Sequence, residues 1–196
     1  MISLPPVTRA IIIANVALYL LSLVAGDTLY GLFALWPVGH PLFQPWQLLT
    51  YSFLHAGFAH VFFNMFAVYM FGTPLEMFWG SRRFTFYYLA SVLTAAATEL
   101  VVENATQVGG QVVGASGGVF GLLLAFAWYF PKQRLIVLPI PIPIPAWLLV
   151  TIYGGFELVL GVTGAMPDVA HFAHLGGMLG GALSILYWRT RGRFTR

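Results

Sequence analysis

The chain contains no cysteine, which excludes disulfide bridges, thiol nucleophiles and cysteine-ligated metal centres together. Charge is scarce as well. Asp, Glu, Lys and Arg make up 8% of the 196 residues, against about 25% in a soluble domain. A water-facing globular surface cannot be assembled from so few charges. With 59% hydrophobic residues and a mean hydropathy of +0.84, the chain reads as an all-α membrane protein. Its formal net charge of +3 is therefore no sign of a nucleic-acid partner, and none is expected. No small-residue cleavage site follows the first apolar run, so that run reads as retained and not as a signal peptide. No repeat of the whole unit is apparent and no hydrophilic domain flanks the apolar runs, so residues 1–196 read as one domain.

Six apolar segments, at about 8–26, 59–79, 84–103, 115–131, 146–163 and 169–188, each approach the length a bilayer demands. The nine basic residues are Arg9, Arg82, Arg83, Lys132, Arg134, Arg189, Arg191, Arg193 and Arg196. With six crossings they all fall on one side, which the positive-inside rule makes cytoplasmic, together with both termini. Five or seven crossings would scatter them. Asp27, Glu103 and Asp168 fall in or near the outer loops. The stretch LPIPIPIPAW after the fourth segment is expected to be a stiff, polyproline-like cytoplasmic connector. The first outer loop, about 27–58, is long and carries Tyr30, Phe33, Trp36, Phe43, Trp46, Tyr51 and Phe53. Loops of that length are often functional, and its aromatics suit the outer water–lipid interface.

A few polar residues interrupt the apolar runs. The fourth segment opens on VVGASGGVFG, one serine among four glycines. It is short, roughly 22 Å at 1.5 Å per residue, against a hydrocarbon core of about 30 Å. If its basic end lies at the cytoplasmic surface, its N-terminus stops inside the membrane and must face protein or a wet cavity. Ser116 lies there, where its hydroxyl is expected to cap the helix and the helix dipole favours an anion. HAGFAHVFFN supplies His55, His60 and Asn64, and AHFAHLGG supplies His171 and His174. His60 and Asn64, four apart, share one helix face, as do His171 and His174, three apart. Polar groups at such positions face the bundle interior or a water cavity. In GGMLGGAL, Gly176 pairs with Gly180 and Gly177 with Gly181; Gly117 and Gly121 make a further small-xxx-small pair. Such faces let helix backbones approach closely. Packing the fourth segment on the sixth through them would bring His174 to Ser116, a base to a nucleophile. Alone, a serine among glycines is most often a packing residue, and His60 with Asn64 an ordinary interhelical hydrogen bond. All of them in register favour chemistry.

Gly114-Ala115-Ser116-Gly117 resembles the GxSG motif of the rhomboid intramembrane serine proteases. His60 to Asn64 matches that family's HxxxN element. His171-Phe172-Ala173-His174-Leu175-Gly176-Gly177 is similar to the AHxGG-type motif of its last core helix, and Trp46 with Gln47 to its Trp-Arg stretch. The likeness covers nearly the whole chain in order. It implies a six-transmembrane-helix rhomboid-like bundle and a Ser–His dyad, Ser116 as nucleophile and His174 as general base. The oxyanion would be held by the Ser116 backbone N–H and the side chains of His60 and Asn64. Phe120, His55, His171 and Trp46 are candidate supports, with the alternative for His55 and His171 that they only satisfy backbone groups or hold the loop. It further implies transmembrane protein substrates, a lipid environment, no cofactor and no metal. The setting would be a bacterial inner membrane, with the active site opening to the extracytoplasmic side. Two residues depart from the family pattern. Gln47 replaces an arginine, putting any lipid-phosphate contact in doubt, and Phe120 stands where many members carry tyrosine. Asp168, the acid nearest His174 in sequence, lies six residues earlier at the segment's start; no acid is well placed to orient the histidine, so a dyad is the economical reading. Glu76 is expected to pair with Arg82, Arg83 or backbone groups, while Glu157 needs a partner that the sequence does not name. Nothing in the sequence sets the oligomeric state. Three other readings compete. A zinc protease lacks its HExxH, a non-catalytic client-binding relative would typically have lost the serine or histidine, and a transporter lacks an evident inverted repeat.

Overall fold

In lipid a backbone has no water to bond, so apolar runs must become helices that satisfy their own N–H and C=O groups. The computed structural model, which describes residues 4–137, 140–167 and 169–191, bears this out. Its helices are α1 (Pro6–Phe33), α2 (Gln47–Thr50), α3 (Phe58–Ala67), α4 (Thr73–Trp79), α5 (Ser81–Thr106), α6 (Ser116–Tyr129), α7 (Ala146–Thr163) and α8 (His171–Thr190). A π-turn, Val68–Gly72, joins α3 to α4, so that Phe58–Trp79 is one continuous rod. Among the described residues, four helices are long and apolar enough to cross a membrane: Pro6–Phe33, Phe58–Trp79, Ser81–Thr106 and Ala146–Thr163. The apolar α6 is shorter, at 14 residues, and α8 has 20.

Two expectations need correction. The first helix does not stop near residue 26. It kinks at Ala25 (φ −122°, ψ 31°) and continues to Phe33, because Leu29 is buried beside Ala34 and Leu54 and the Tyr30 hydroxyl donates to the His55 carbonyl. The long loop is shortened accordingly. From Ile140 to Pro145 the proline-rich stretch is extended, as expected, but it is no free-standing connector; Leu138 and Pro139 lie outside the described residues. Strands β1 (Arg134–Val137) and β2 (Ile140–Pro145) pair antiparallel, Leu135 opposite Ile144. The alternation makes this possible. Pro141, Pro143 and Pro145 share one edge of β2, leaving Ile142 and Ile144 to present their N–H groups to the other, and proline is tolerated in a strand only on an unpaired edge.

Helices α5, α6 and α8 form the centre. Phe84, Tyr87, Tyr88, Val92 and Ala96 of α5, Leu122 and Ala125 of α6 and Ile185 and Trp188 of α8 are all buried. Glycines set the spacing. A β-carbon on Gly177 would collide with the Gly117 carbonyl, and one on Gly121 would meet Ser91 and the Gly177 carbonyl oxygen. The other glycine pair of α8, Gly176 and Gly180, faces Thr98, Thr94 and Ala90 of α5. One helix thus carries two small-residue faces for two neighbours. By contrast α7 lies at the margin. Its buried residues are Ala146, Leu149 and Val150, all near its start, and Phe156, Val159 and Val162 are exposed.

Glu76 is buried and ties α1 to the bundle. Its carboxylate accepts from the backbone N–H of Val7 (3.0 Å) and Thr8 (2.7 Å), and from the hydroxyls of Thr8 (2.7 Å) and Ser81 (2.6 Å). It therefore satisfies N–H groups that a helix's first turn leaves open, the backbone alternative among its expected partners. Basic residues gather at that end of the bundle: Arg9 in the first turn of α1, Arg82 and Arg83 in that of α5, Lys132 and Arg134 after α6, and Arg189 in the last turn of α8. Asp168, Arg193 and Arg196 lie outside the described residues.

Candidate active site

The segment that delivers Ser116 is laced to the first loop. Val112 and Leu35 exchange backbone hydrogen bonds of 2.8 and 2.9 Å, and Gly114 N–H donates to the Tyr51 carbonyl at 3.0 Å. Ala115 N–H points at Nε2 of His55, 3.5 Å away. His55 is buried, and burial, with His60 nearby, pushes its pKa down to about 3. It stays neutral and free to accept that bond. Gly114 has φ +129°, a conformation that disfavours a side chain. A β-carbon there would also sit 2.7 Å from Nε2 of His60. The first position of the GxSG run is glycine for both reasons.

Ser116 is the first residue of α6, but it does not cap the helix. The N-cap is Ala115, with no side-chain cap bond. The serine hydroxyl instead lies 2.8 Å from Nε2 of His174. The α6–α8 glycine contact lies one residue beyond Ser116, at Gly117 and Gly177, so backbone approach and serine–histidine contact are one feature. The Phe120 ring stacks on His174, centroids 4.3 Å apart and planes within 9°; phenylalanine does this without the hydroxyl that tyrosine would add.

His60 and Asn64 line the same cavity as Ser116 and His174, a space of about 960 Å³. Asn64 donates Nδ2–H to the His60 carbonyl at 2.9 Å within its own helix. The cavity's rim is formed by Val108–Val113 before α6 and by Pro167, Val169 and Ala170 before α8, opposite the basic end. Glu99 and Glu103 also line it. Glu103 accepts from Gly110 N–H at 3.0 Å. Glu99 has no sequence signal beyond being an acid in an apolar helix.

Trp46 is half-exposed and donates to the Leu32 carbonyl at 2.9 Å; it does not line the cavity. Gln47 is fully buried. Its amide donates to the Leu32 (3.2 Å) and Leu42 (2.8 Å) carbonyls, and its oxygen accepts from Gln44 N–H (3.1 Å). The residue in the arginine's place braces the loop.

The expectation that no acid stands near His174 fails. Glu157 of α7 places Oε2 2.9 Å from Nδ1 of His174 and 2.7 Å from Nδ1 of His171. The bond to His171 is aligned; the approach to His174 is as close but not along its N–H direction. His171 completes its bonding with the Ala165 carbonyl, 3.1 Å from Nε2. The sequence signal was the carboxylate itself, since a charge in an apolar helix requires a partner. These three residues are also the one group among those described whose atoms converge as metal ligands would, all within 4.8 Å. Separations of 2.7 and 2.9 Å are hydrogen-bond lengths between the groups themselves.

The family model of the rhomboid domain matches residues 42–191. This chain belongs to the rhomboid family. Among the relatives of this rhomboid is rhomboid protease GluP of Bacillus subtilis, 31% identical over 137 residues, which are 69% of this chain and 24% of the Bacillus protein. RHOMBOID-like protein 7 of Arabidopsis thaliana is 37% identical over 149 residues, 71% of this chain and 42% of the plant protein. Rhomboid protease GlpG of Yersinia pestis is 24% identical over 191 residues, 95% of this chain and 63% of its own length. The chain thus spans between a quarter and two thirds of these relatives. With its apolar helices, family membership makes it an integral, multi-pass membrane protein.

Proposed function

We propose that this rhomboid is an intramembrane serine endopeptidase that cuts other membrane proteins in or beside a transmembrane segment. The observation that carries the reading is the 2.8 Å contact between Ser116 Oγ and His174 Nε2 at the wall of a large cavity. A serine hydroxyl is a weak nucleophile until a base takes its proton. As Oγ bonds to the scissile carbonyl carbon, its proton passes to Nε2. The oxyanion then forms beside the N-terminus of α6, where the Ser116 N–H, His60 and Asn64 are the donors at hand; one such donor is worth about 3–4 kcal/mol. His174 next protonates the leaving amine, and water, activated by the same base, frees the acyl group. No metal or cofactor enters these steps.

In the membrane the six long helical segments, with α3 and α4 as one, make six crossings, with both termini and the basic residues cytoplasmic. The cavity then opens on the extracytoplasmic side, in a bacterial case of the inner membrane. Helix α6 is about 21 Å long at 1.5 Å per residue, so its N-terminus sits below the outer surface. Substrate helices reach Ser116 sideways from lipid, and α7 with the loop before α8 is the gate. Its outer half buries little, and Gly154, Gly155, Gly161 and Gly164 are weak points in or just after it. Segments rich in small or helix-breaking residues are the favoured substrates, because an intact helix hides its carbonyls in hydrogen bonds. A cross-link pinning α7 to α3 should slow cleavage of a transmembrane substrate more than that of a short soluble peptide; equal retention of both activities would remove the gate.

Ser116→Ala tests the reaction itself. The reconstituted variant should keep its fold and lose cleavage of a helical substrate, while chelators leave the parent unaffected. Cleavage by Ser116→Ala at the parent rate would refute the reading. A client-binding function without catalysis would survive that substitution unchanged.

A further inference from the structure

We infer that Glu157 is a positioning residue that makes the serine–histidine pair a Ser116–His174–Glu157 relay, with α7 delivering the carboxylate. This rests on the protease reading above. For Nε2 of His174 to accept the Ser116 proton, the ring must carry its own proton on Nδ1. The carboxylate oxygen facing that nitrogen is Glu157 Oε2, at 2.9 Å. An acceptor there selects the useful tautomer, holds the ring's rotation and stabilises the imidazolium formed when Oγ attacks. The carboxylate need not take the proton.

Proton accounting at His171 supports the same assignment. Its Nε2 faces the Ala165 carbonyl, which only accepts, so Nε2 carries hydrogen. Its Nδ1 faces Glu157 Oε2 at 2.7 Å. If Oε2 accepts from both histidines, His171 carries two protons and is the cation that balances Glu157. Buried carboxylates require such a partner. His174 is then left neutral, as a general base must be. Phe120 on one face of the ring and Ser116 at its far nitrogen leave Nδ1 as the atom whose partner sets its orientation. The imperfect alignment fits a resting enzyme, since catalytic hydrogen bonds often tighten only with substrate bound.

The consequence is a link between access and chemistry. Near Glu157, α7 exposes Phe156, Leu158 and Val159, and its packing there rests on Gly154 against Met178 and Gly161 against Phe172 and His171. The hydrogen bond of Glu157 to His171 and its close approach to His174 are the polar tie to α8 at this level. Moving α7 outward withdraws the carboxylate from His174, so the base is fully oriented only when α7 is seated.

The test uses the full chain in bilayers, with labelling of Ser116 by a small fluorophosphonate, kcat and KM on a transmembrane substrate, and thermal unfolding. Labelling reports nucleophile activation without helix docking. Glu157→Ala should lower both labelling and kcat by about 10-fold or more, since replacing the carboxylate behind a triad histidine costs up to about 10⁴-fold, with KM within about twofold. Glu157→Gln, whose amide oxygen still accepts from Nδ1–H, should recover about tenfold and covers the case in which the alanine variant does not fold. His171→Gln, which still donates to Glu157 but removes the balancing cation, should lower labelling less than Glu157→Ala does. Folded Glu157→Ala labelling at the parent rate would overturn the assignment. So would a change confined to KM, or His171→Gln losing activity while Glu157→Gln keeps it. A labelling rate altered by chelation would give the cluster to a metal instead. If the parent itself labels no faster than Ser116→Ala, the protease reading fails first.

Discussion

Replacing Gly177 by alanine sets helix packing against catalytic geometry at one position. A β-carbon there would lie 2.6 Å from the carbonyl carbon of Gly117 and 3.0 Å from its Cα, where ordinary contact begins at 3.4 Å. Backbone cannot rotate away as a side chain can, so α6 and α8 must separate by about 0.8 Å or more. The Ser116–His174 contact of 2.8 Å would stretch to about 3.6 Å, past hydrogen-bonding range. Overpacking of this kind costs about 1–3 kcal/mol of stability. A displacement of about 1 Å at a reacting pair costs on the order of 10²-fold in rate. Activity is therefore expected to fall much further than stability. Fluorophosphonate labelling of Ser116 beside thermal unfolding in the same bilayers measures both. Gly181→Ala meets the Tyr87 hydroxyl and lies 3.5 Å from Gly121 Cα, so it should disturb the pair less, and Gly155→Ala, with nothing within 4 Å, should not disturb it. A folded Gly177→Ala protein that labels at the parent rate would show that the helix spacing does not set the serine–histidine contact.

Other perturbations separate the remaining roles. Asn64→Ala should lower kcat by about 10²-fold with KM little changed, because an oxyanion donor acts mainly in the transition state; a change in KM alone would remove Asn64 from the oxyanion site. Phe120→Leu forfeits a ring stack worth about 0.5–1.5 kcal/mol and should slow labelling about three- to tenfold, whereas labelling unchanged would make the stack irrelevant to the base. Glu76→Ala strands the Val7 and Thr8 donors and should cost about 3 kcal/mol in unfolding measurements, while the folded fraction labels normally; a loss of labelling without a loss of stability would contradict this. His55, with its pKa pushed down to about 3, is neutral in the fold but takes a proton near pH 6.5 when unfolded. Its contribution is complete above about pH 6.5 and is lost as pH falls toward 3, at up to about 1.4 kcal/mol per pH unit. His55→Gln should flatten that part of the acid slope, and parallel slopes for the two proteins would refute the burial argument.

Local chemistry made much of this legible in the chain. Apolar runs with few charges must be helices in lipid, and all six expected segments are helical. Spacing placed His60 with Asn64 and His171 with His174 on shared faces, and small-xxx-small pairs marked α6 and α8 as close neighbours. Local rules stop at the face of an element. They do not say which of α8's two glycine faces meets α6; Gly177 does, and Gly176 turns to α5, because rotation about a helix axis is settled by everything packed around it. They predicted a cap at Ser116, whereas packing offered its hydroxyl a histidine from another helix. They gave the connector as an extended, stiff run but not its pairing, which the alternation of its prolines permits by leaving one edge of β2 free to pair with β1. Glu157 shows the limit most clearly. A carboxylate in an apolar helix announced that it had a partner, but His171 is 14 positions away across a turn. No periodicity spans such an interval, and only the seating of α7 on α8 brings the acid to the base.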